Sequence, residues 1–211
     1  MSTTGLLLAL FGPDGSGKST TAMQIEKICK KLNFPTSHYH WRPRLLPSLI
    51  KDGKQNYSIT TAHNWSPRSK LISLFLILYF YLDFLLGHLI WFRPLLDNDT
   101  IIIYERYYYD LLFHPQRYRL RLVKSLSYFL TLLLPRPDLI VLLWGNPSEI
   151  YSRKQELSID EIRKLQIDMK QGLQRYGRVL VIDVTNLDEI ETASKIINEL
   201  IQLLNDNSSV N

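Results

Sequence analysis

At 211 residues with 45% hydrophobic side chains, the chain is long enough to bury one sizeable α/β core and too short for several domains. Its 25 basic and 20 acidic residues leave a net charge of +5, which suits an anionic ligand but is too mild for a nucleic-acid-binding protein. The single Cys29 excludes an internal disulfide, and residues 6–11 lead straight into a glycine-rich loop rather than a cleavage site, so the expected location is the cytoplasm.

The apolar run Leu6 to Phe11 reads as a buried strand. It leads into Gly12-Pro13-Asp14-Gly15-Ser16-Gly17-Lys18-Ser19, a complete G-x-x-x-x-G-K-[ST] string followed by Thr20. Glycines let such a backbone curl so that successive N–H groups meet phosphate oxygens. Lys18 supplies a point charge, and the Ser19 hydroxyl is a ligand for Mg²⁺. Ala22, Ile25, Ile28, Cys29 and Leu32 then recur at helical spacing, which places the loop at a helix N-terminus. Lys18 is expected to be exposed there. Strand, full motif and helix in this order predict a nucleotide-binding protein.

Pro35 to Trp41 reads as a second strand, with His38 and His40 as structural histidines, and Arg42 to Ala62 as a long loop. Ser66-Pro67 is a capping pair for a long helix. That helix contains the 22 residues Leu71 to Phe92, nearly all apolar, which have the length of a membrane span. Asp83 lies in its middle, and a carboxylate is costly in the bilayer centre, so the expectation is a helix buried in the core. Peripheral membrane contact and an anchoring role for this segment stay open.

Ile101 to Tyr104 is a third strand ending at Glu105-Arg106. A helix over 119–133 carries Arg119, Arg121 and Lys124 as a solvated face. Leu139 to Trp144 is a fourth strand, and Ser158 to Glu161 a capping box for a helix that stops at Gly177. Val179 to Ile182 is the fifth strand and Leu187 to Leu204 the last helix, with 206–211 a disordered tail. The expected architecture is α/β: a five-stranded parallel sheet with helices on both faces, in one domain over 1–205. Ligands of such sheets bind beyond the carboxyl ends of the strands. The loop, Arg42, Glu105-Arg106 and Asp183 should therefore share one crevice.

In that crevice Glu105 is placed near the attacking oxygen or near the metal, which it would hold with Ser19, and Arg106 to neutralise a transferring phosphate, the plain alternative being a surface ion pair beside an aromatic patch. Tyr107 and Asp110 are candidates for acceptor contact, although aromatic packing accounts for at least one of Tyr107 to Tyr109. Arg117 is the cation of the basic run nearest the crevice. No N-K-x-D string, which would read guanine, occurs.

The chain resembles the thymidylate kinase family of nucleoside monophosphate kinases. Gly12, Asp14 to Ser19 and Thr20 match its loop, with Phe11 displaced by one place. Glu105-Arg106-Tyr107 matches its D-R-[YH] motif with Glu for Asp, as in the related deoxynucleoside kinases. Asp83 falls at the spacing of its A-D-R, which makes it an expected acceptor contact, and Arg93-Pro94 matches an Arg-Pro near the end of that helix. The resemblance implies a P-loop phosphotransferase that moves the γ-phosphoryl of ATP to a nucleoside monophosphate, dTMP first. It implies that Asp14 holds an acceptor hydroxyl, Arg42 the acceptor phosphate, and Arg106 the acceptor or the transferring group. Arg153 and Lys154 would belong to a lid over residues 153–160, Asp183 and Thr185 would lie by the adenine, and a homodimer would form through the long apolar helix. Three departures bear on the acceptor. Phe84 stands where the family has the Arg of A-D-R, His114-Pro115 replaces its thymine-reading pair, and the basic run Arg117 to Arg121 is not general in it. A non-nucleotide acceptor such as a sugar is the alternative.

Overall fold

The computed structural model describes residues 5–47, 49, 66–121 and 124–209. Strands β1 (Leu7–Phe11), β2 (Thr36–Tyr39), β3 (Ile101–Tyr104), β4 (Leu139–Trp144) and β5 (Val179–Asp183) form one sheet in the order β2-β3-β1-β4-β5. Every pairing is parallel. The helices are α1 (Lys18–Lys31), α2 (Lys70–Gly87), α3 (Arg93–Leu96), α4 (Asp110–Phe113), α5 (Lys124–Leu132), α6 (Pro147–Arg153), α7 (Ile159–Leu173) and α8 (Glu189–Ser209).

Strand side chains alternate between two cores, as the two-residue period of a strand requires. Leu6, Leu8, Leu10, Ile103, Val141 and Leu143 pack with Ala22, Ile25 and Cys29 of α1 and Ala193, Ile196 and Leu200 of α8. Leu7, Ala9, Phe11, Ile102, Tyr104, Ile140 and Leu142 face the other way, against α2 and α7. Helices thus cover both faces of the sheet. Cys29 is 1% exposed, and burial pushes its thiol up to about 11, which keeps it protonated and inert. From β1 the chain first goes to the β2 edge, and β3 later crosses over to β4 on the other side of β1. That reversal opens a crevice beyond the carboxyl end of β1.

The long apolar helix departs from expectation in two ways. It begins at Lys70 with Ser69 as the cap, whose Oγ accepts from the Ile72 N–H at 3.4 Å. Ser66 cannot serve, because its carbonyl takes the Arg119 guanidinium at 3.2 Å and the Arg68 N–H is tied to the Arg119 carbonyl at 2.9 Å. The helix is also not buried all round. Ser73, Leu76, Ile77, Phe80, Asp83, Phe84 and Gly87 turn inward, while Leu71, Phe75, Leu78 and Leu82 are exposed. A π turn at His88–Phe92 joins α2 to α3. Among the described residues this Lys70–Leu96 unit is the one helix long and apolar enough to cross a membrane.

The basic run is not the start of a helix. Pro115–Tyr118 forms a 3₁₀ turn closed by Arg119 in the left-handed conformation (φ 55°), and α5 begins at Lys124. The capping box is present: Ser158 Oγ accepts from the Glu161 N–H, and Glu161 accepts from the Ser158 N–H at 2.8 Å. α8 runs to Ser209, through most of the expected tail. Much of the expected loop over 42–62 lies outside the described residues.

Candidate functional site

The crevice is a cleft of about 560 Å³, within the range of small-molecule sites. Asp14 to Thr21, His40, Glu105, Arg106, Arg117, Arg153 and Lys154 line it, together with Val184 and Leu187 to Glu189. Of the residues proposed from sequence, the loop, Glu105, Arg106, Arg117 and Arg153 come together here. Gly12 sits one step behind them, at the end of β1.

The loop's shape depends on glycine. Gly15 has φ +88°, and a Cβ there would meet the Ile150 carbonyl oxygen at 2.9 Å, so the end of α6 packs directly over the loop. Gly17 has φ +89° and nothing within 4 Å of a would-be Cβ. As the residue before α1 it offers no side-chain cap, which leaves the first-turn N–H groups open to a ligand. Ser16 Oγ is buried without a hydrogen-bond partner among the described residues. A cradle of open amides with an orphaned hydroxyl fits phosphate oxygens.

Lys18 differs from expectation, being only 5% exposed. Its ammonium donates to the carbonyls of Gly12 at 2.8 Å and Pro13 at 2.7 Å. Burial first, and then the Arg106 charge, lower its pKa to about 7.

Asp14 is the hub of the cationic side. Its carboxylate contacts Arg106 and Arg117, with Lys18 at 3.6 Å and Lys154 at 3.8 Å. Glu156 bridges Arg117 and Lys154 at 2.9 Å each, which ties the segment after α6 across the cleft.

Glu105 is 3% exposed, at the end of β3. Its backbone N–H donates to the Tyr39 carbonyl at 3.0 Å, so the end of β2 lies alongside. Ser19 Oγ donates to Glu105 Oε2 at 2.5 Å, His38 Nε2 lies 2.9 Å from Oε1, and His40 Nδ1 lies 3.0 Å from Oε2. Burial alone would raise this carboxyl. The hydrogen bonds from His38, His40 and Ser19 outweigh it and hold Glu105 well below the usual carboxylate range. Arg106 donates to His40 Nε2 at 2.8 Å; since a guanidinium only donates, the His40 Nδ1–H is the donor to Glu105. His38 spans Glu105 and Glu26, and chiefly its bond to Glu105 raises its pKa.

His38 and His40 have their structural place as hydrogen-bond partners of the Glu105 carboxylate. Their alternate spacing put both on one side of β2. What the sequence lacked was the neighbour, because the pairing of β2 with β3 is a fact of topology. The same holds for Lys154 and Glu156.

Four expected acceptor contacts lie elsewhere. Arg42 is buried and donates to Asp83 Oδ2 at 3.1 Å, while Asp83 Oδ1 accepts from the Leu46 N–H at 2.7 Å. Tyr107 is core, its hydroxyl donating to the Pro135 carbonyl at 2.7 Å. Asp110 is buried and accepts from the Tyr118 hydroxyl at 2.7 Å. In each case the polar group is satisfied inside the protein. Phe84, where the resembled family has Arg, packs edge-on against Tyr107 and Tyr108. Asp183, expected to share the crevice, is not among the residues that line the cleft; its carboxylate accepts from the Thr185 N–H at 2.9 Å and caps the turn after β5.

Ser19 and Glu105 offer two oxygen ligands of the kind Mg²⁺ prefers, leaving room for waters and phosphate oxygens. Among the described residues no cluster of three or more His, Cys, Asp and Glu forms an all-protein metal cage. Compared with models of known protein families the chain gave no match, and compared with curated protein sequences it gave none either.

Proposed function

We propose that this protein is an ATP- and Mg²⁺-dependent phosphotransferase of the P-loop kinase type. The observation that carries the reading is the meeting of Ser19 Oγ and the Glu105 carboxylate at 2.5 Å, at the mouth of a complete G-x-x-x-x-G-K-[ST] loop. Around that pair the cleft gathers Lys18, Arg106, Arg117, Arg153 and Lys154. Phosphoryl transfer asks for little beyond positioning and charge neutralisation, and this set supplies both.

The loop amides, the Ser16 hydroxyl and Lys18 hold the β- and γ-phosphates of ATP. Ser19 and Glu105 would hold Mg²⁺, which would supply positive charge to offset that of the phosphates. His38 and His40 keep Glu105 ionised and fixed in orientation. Arg106 and Arg153 stabilise charge on the equatorial oxygens of the transferring group. Lys154 and Glu156, on the segment above the loop, exclude water when that segment closes.

The acceptor is a small molecule, with a nucleoside monophosphate as the first reading and dTMP the first to try. A hydroxyl acceptor without a phosphate is the second. It is favoured by the Arg42–Asp83 pair and by buried Phe84, which leave the family's acceptor-phosphate positions inside the protein. The test is an ATP-consumption screen against nucleoside monophosphates, nucleosides and sugars, with Mg²⁺ present and absent. Mg²⁺-dependent turnover of one class supports the reading. A folded protein that neither binds Mg²⁺·ATP nor turns over any acceptor overturns it.

A further inference from the structure

We infer that the outer face of α2 and the following π turn docks in the plane of an anionic lipid surface. The inference is independent of the phosphoryl-transfer reading. From Leu71 to Trp91, every residue that reaches solvent freely is apolar, with Leu71 at 79%, Phe75 at 59%, Leu82 at 46% and Leu89 at 50% exposure. Leu71, Phe75, Leu78, Leu82 and Leu89 follow one another at i, i+4, i+7, i+11 and i+18, a single straight stripe. At 1.5 Å per residue the stripe is about 27 Å long. A soluble surface helix carries polar residues there, and contiguous apolar surface on this scale marks an interaction site.

The charges decide the kind of partner. At the N-terminal end of the stripe, Arg68 and Lys70 are joined by Arg119 and Arg121. The backbone of Arg119 pairs with the Arg68 N–H, its guanidinium holds the Ser66 carbonyl, and the Arg121 N–H donates to Ser73 Oγ at 3.0 Å. The positive end of the helix dipole lies at the same place. Arg93 is exposed at the far end, next to Trp91, an aromatic suited to a headgroup boundary. The one carboxylate between Arg68 and Arg93 is Asp83, which is buried on Arg42. A second copy of the chain is the competing occupant. A two-fold pairing would set four cations against the far end of the stripe, where among the described residues that follow α2 Asp97 and Asp99 stand beyond the exposed cation Arg93, whereas anionic headgroups answer the cations at both ends.

The helix lies on the bilayer and does not cross it. Its inner face, with Leu76, Ile77, Phe80 and Phe84, is committed to the sheet, and leaving would expose Asp83 and Arg42. Only the outer stripe is available to lipid, at the depth of the headgroup–acyl boundary.

The experiment is sedimentation of the full chain with phosphatidylcholine vesicles and with phosphatidylcholine–phosphatidylserine vesicles, beside analytical ultracentrifugation without lipid. Wild type should pellet with the anionic vesicles and release as salt is raised. L78Q/L82Q, at exposed positions outside the cleft, should bind at least about tenfold more weakly while keeping its circular dichroism. Arg119→Gln/Arg121→Gln should lose the preference for phosphatidylserine. Brominated lipid should quench wild type and not Trp91→Phe at this position. Wild type that stays in the supernatant with both vesicles overturns the inference, as does pelleting that L78Q/L82Q leaves unchanged. A dimer that ignores vesicles and dissociates in L78Q/L82Q gives the face to a second copy instead.

Discussion

Arg42 and Asp83 hold one another at 3.1 Å with side chains only 3% and 0% exposed, and neither reaches the cleft. Trp41 and Phe80 pack beside the guanidinium, at 5.4 and 5.5 Å to the ring centroids. A buried pair broken on one side leaves an uncompensated charge, at a cost of about 3–5 kcal/mol. Arg42→Ala should therefore unfold at markedly lower denaturant, and an Arg42→Met/Asp83→Leu double variant should recover much of the loss. Denaturant titrations of the three proteins measure this. A stable Arg42→Ala with only a raised acceptor KM would return Arg42 to the acceptor.

Lys18→Ala should lower turnover by about 10²–10³, the effect of losing one preorganised donor to developing charge. The same variant should be at least as stable as wild type at pH 7, because the fold holds Lys18 against its own charging. Thermal unfolding and ATP turnover on one preparation check both halves. Near-normal turnover would remove the loop from the chemistry.

On the proposed reading, Lys18 should also make ATP binding a proton-linked event. Its pKa is about 7 in the free protein against 10.5 for an ordinary lysine, and phosphate oxygens beside it move it back up. At pH 8 the free protein lacks the proton that the complex carries, so binding takes up about one proton. At pH 6 the proton is already present and uptake falls close to zero. In the absence of ligand the sign is opposite for folding: between pH 7 and 10.5 the unfolded chain holds the extra proton, so this group makes the fold more stable as pH rises. Calorimetric titration with ATP in buffers of different ionisation enthalpy reads the uptake. Lys18→Arg, which stays charged, should abolish it.

Arg106 touches Asp14 with one nitrogen and donates to His40 Nε2 with the other at 2.8 Å. A lysine has no fork to span the two. Arg106→Lys should therefore stay folded and lose turnover by about a hundredfold, mostly in kcat. Wild-type kinetics would make Glu105-Arg106 only a structural pair.

If dTMP is an acceptor at all, it should be a poor one. Phe84 and Tyr107 fill the core where the resembled family contacts its acceptor. Arg117, held by Asp14 and Glu156 in the cleft, is the cation proposed to grip an acceptor anion. Values of kcat/KM for dTMP, nucleosides and sugars, repeated in Arg117→Ala, test this. Efficient dTMP-selective turnover that is indifferent to Arg117 would restore a plain thymidylate kinase reading.

What could be read from the sequence followed the range of each signal. Leu6 to Phe11, the glycine string and the apolar spacing of α1 are local, and the strand, loop and helix stand where they were expected. Glu105 was readable as a strand-end acid. Its partners were not, because His38 and His40 reach it only through the pairing of β2 with β3. Asp83 is legible as a carboxylate in an apolar helix, but its mate Arg42 lies 41 residues away in a loop, and no local signal pairs the two. The apolar segment Leu71 to Phe92 carries no polar face to separate inside from outside, so its composition was mistaken for complete burial. Arg119 failed as a helix residue because a left-handed turn closes there first, a tertiary outcome that spacing does not encode.

With four cations in reach, the cleft would be a strong electrostatic trap if Asp14 were absent. The carboxylate acts as a resident counter-ion. On the proposed reading, an arriving phosphate would not fill a bare positive site; it would compete with an internal anion for the same cations. The salt dependence of binding is then shallower than the number of cations implies, since part of the neutralisation is already made. Selectivity follows from the same exchange. A weakly charged anion gains too little to displace Asp14, while a polyphosphate that engages the loop and the cations together displaces it readily.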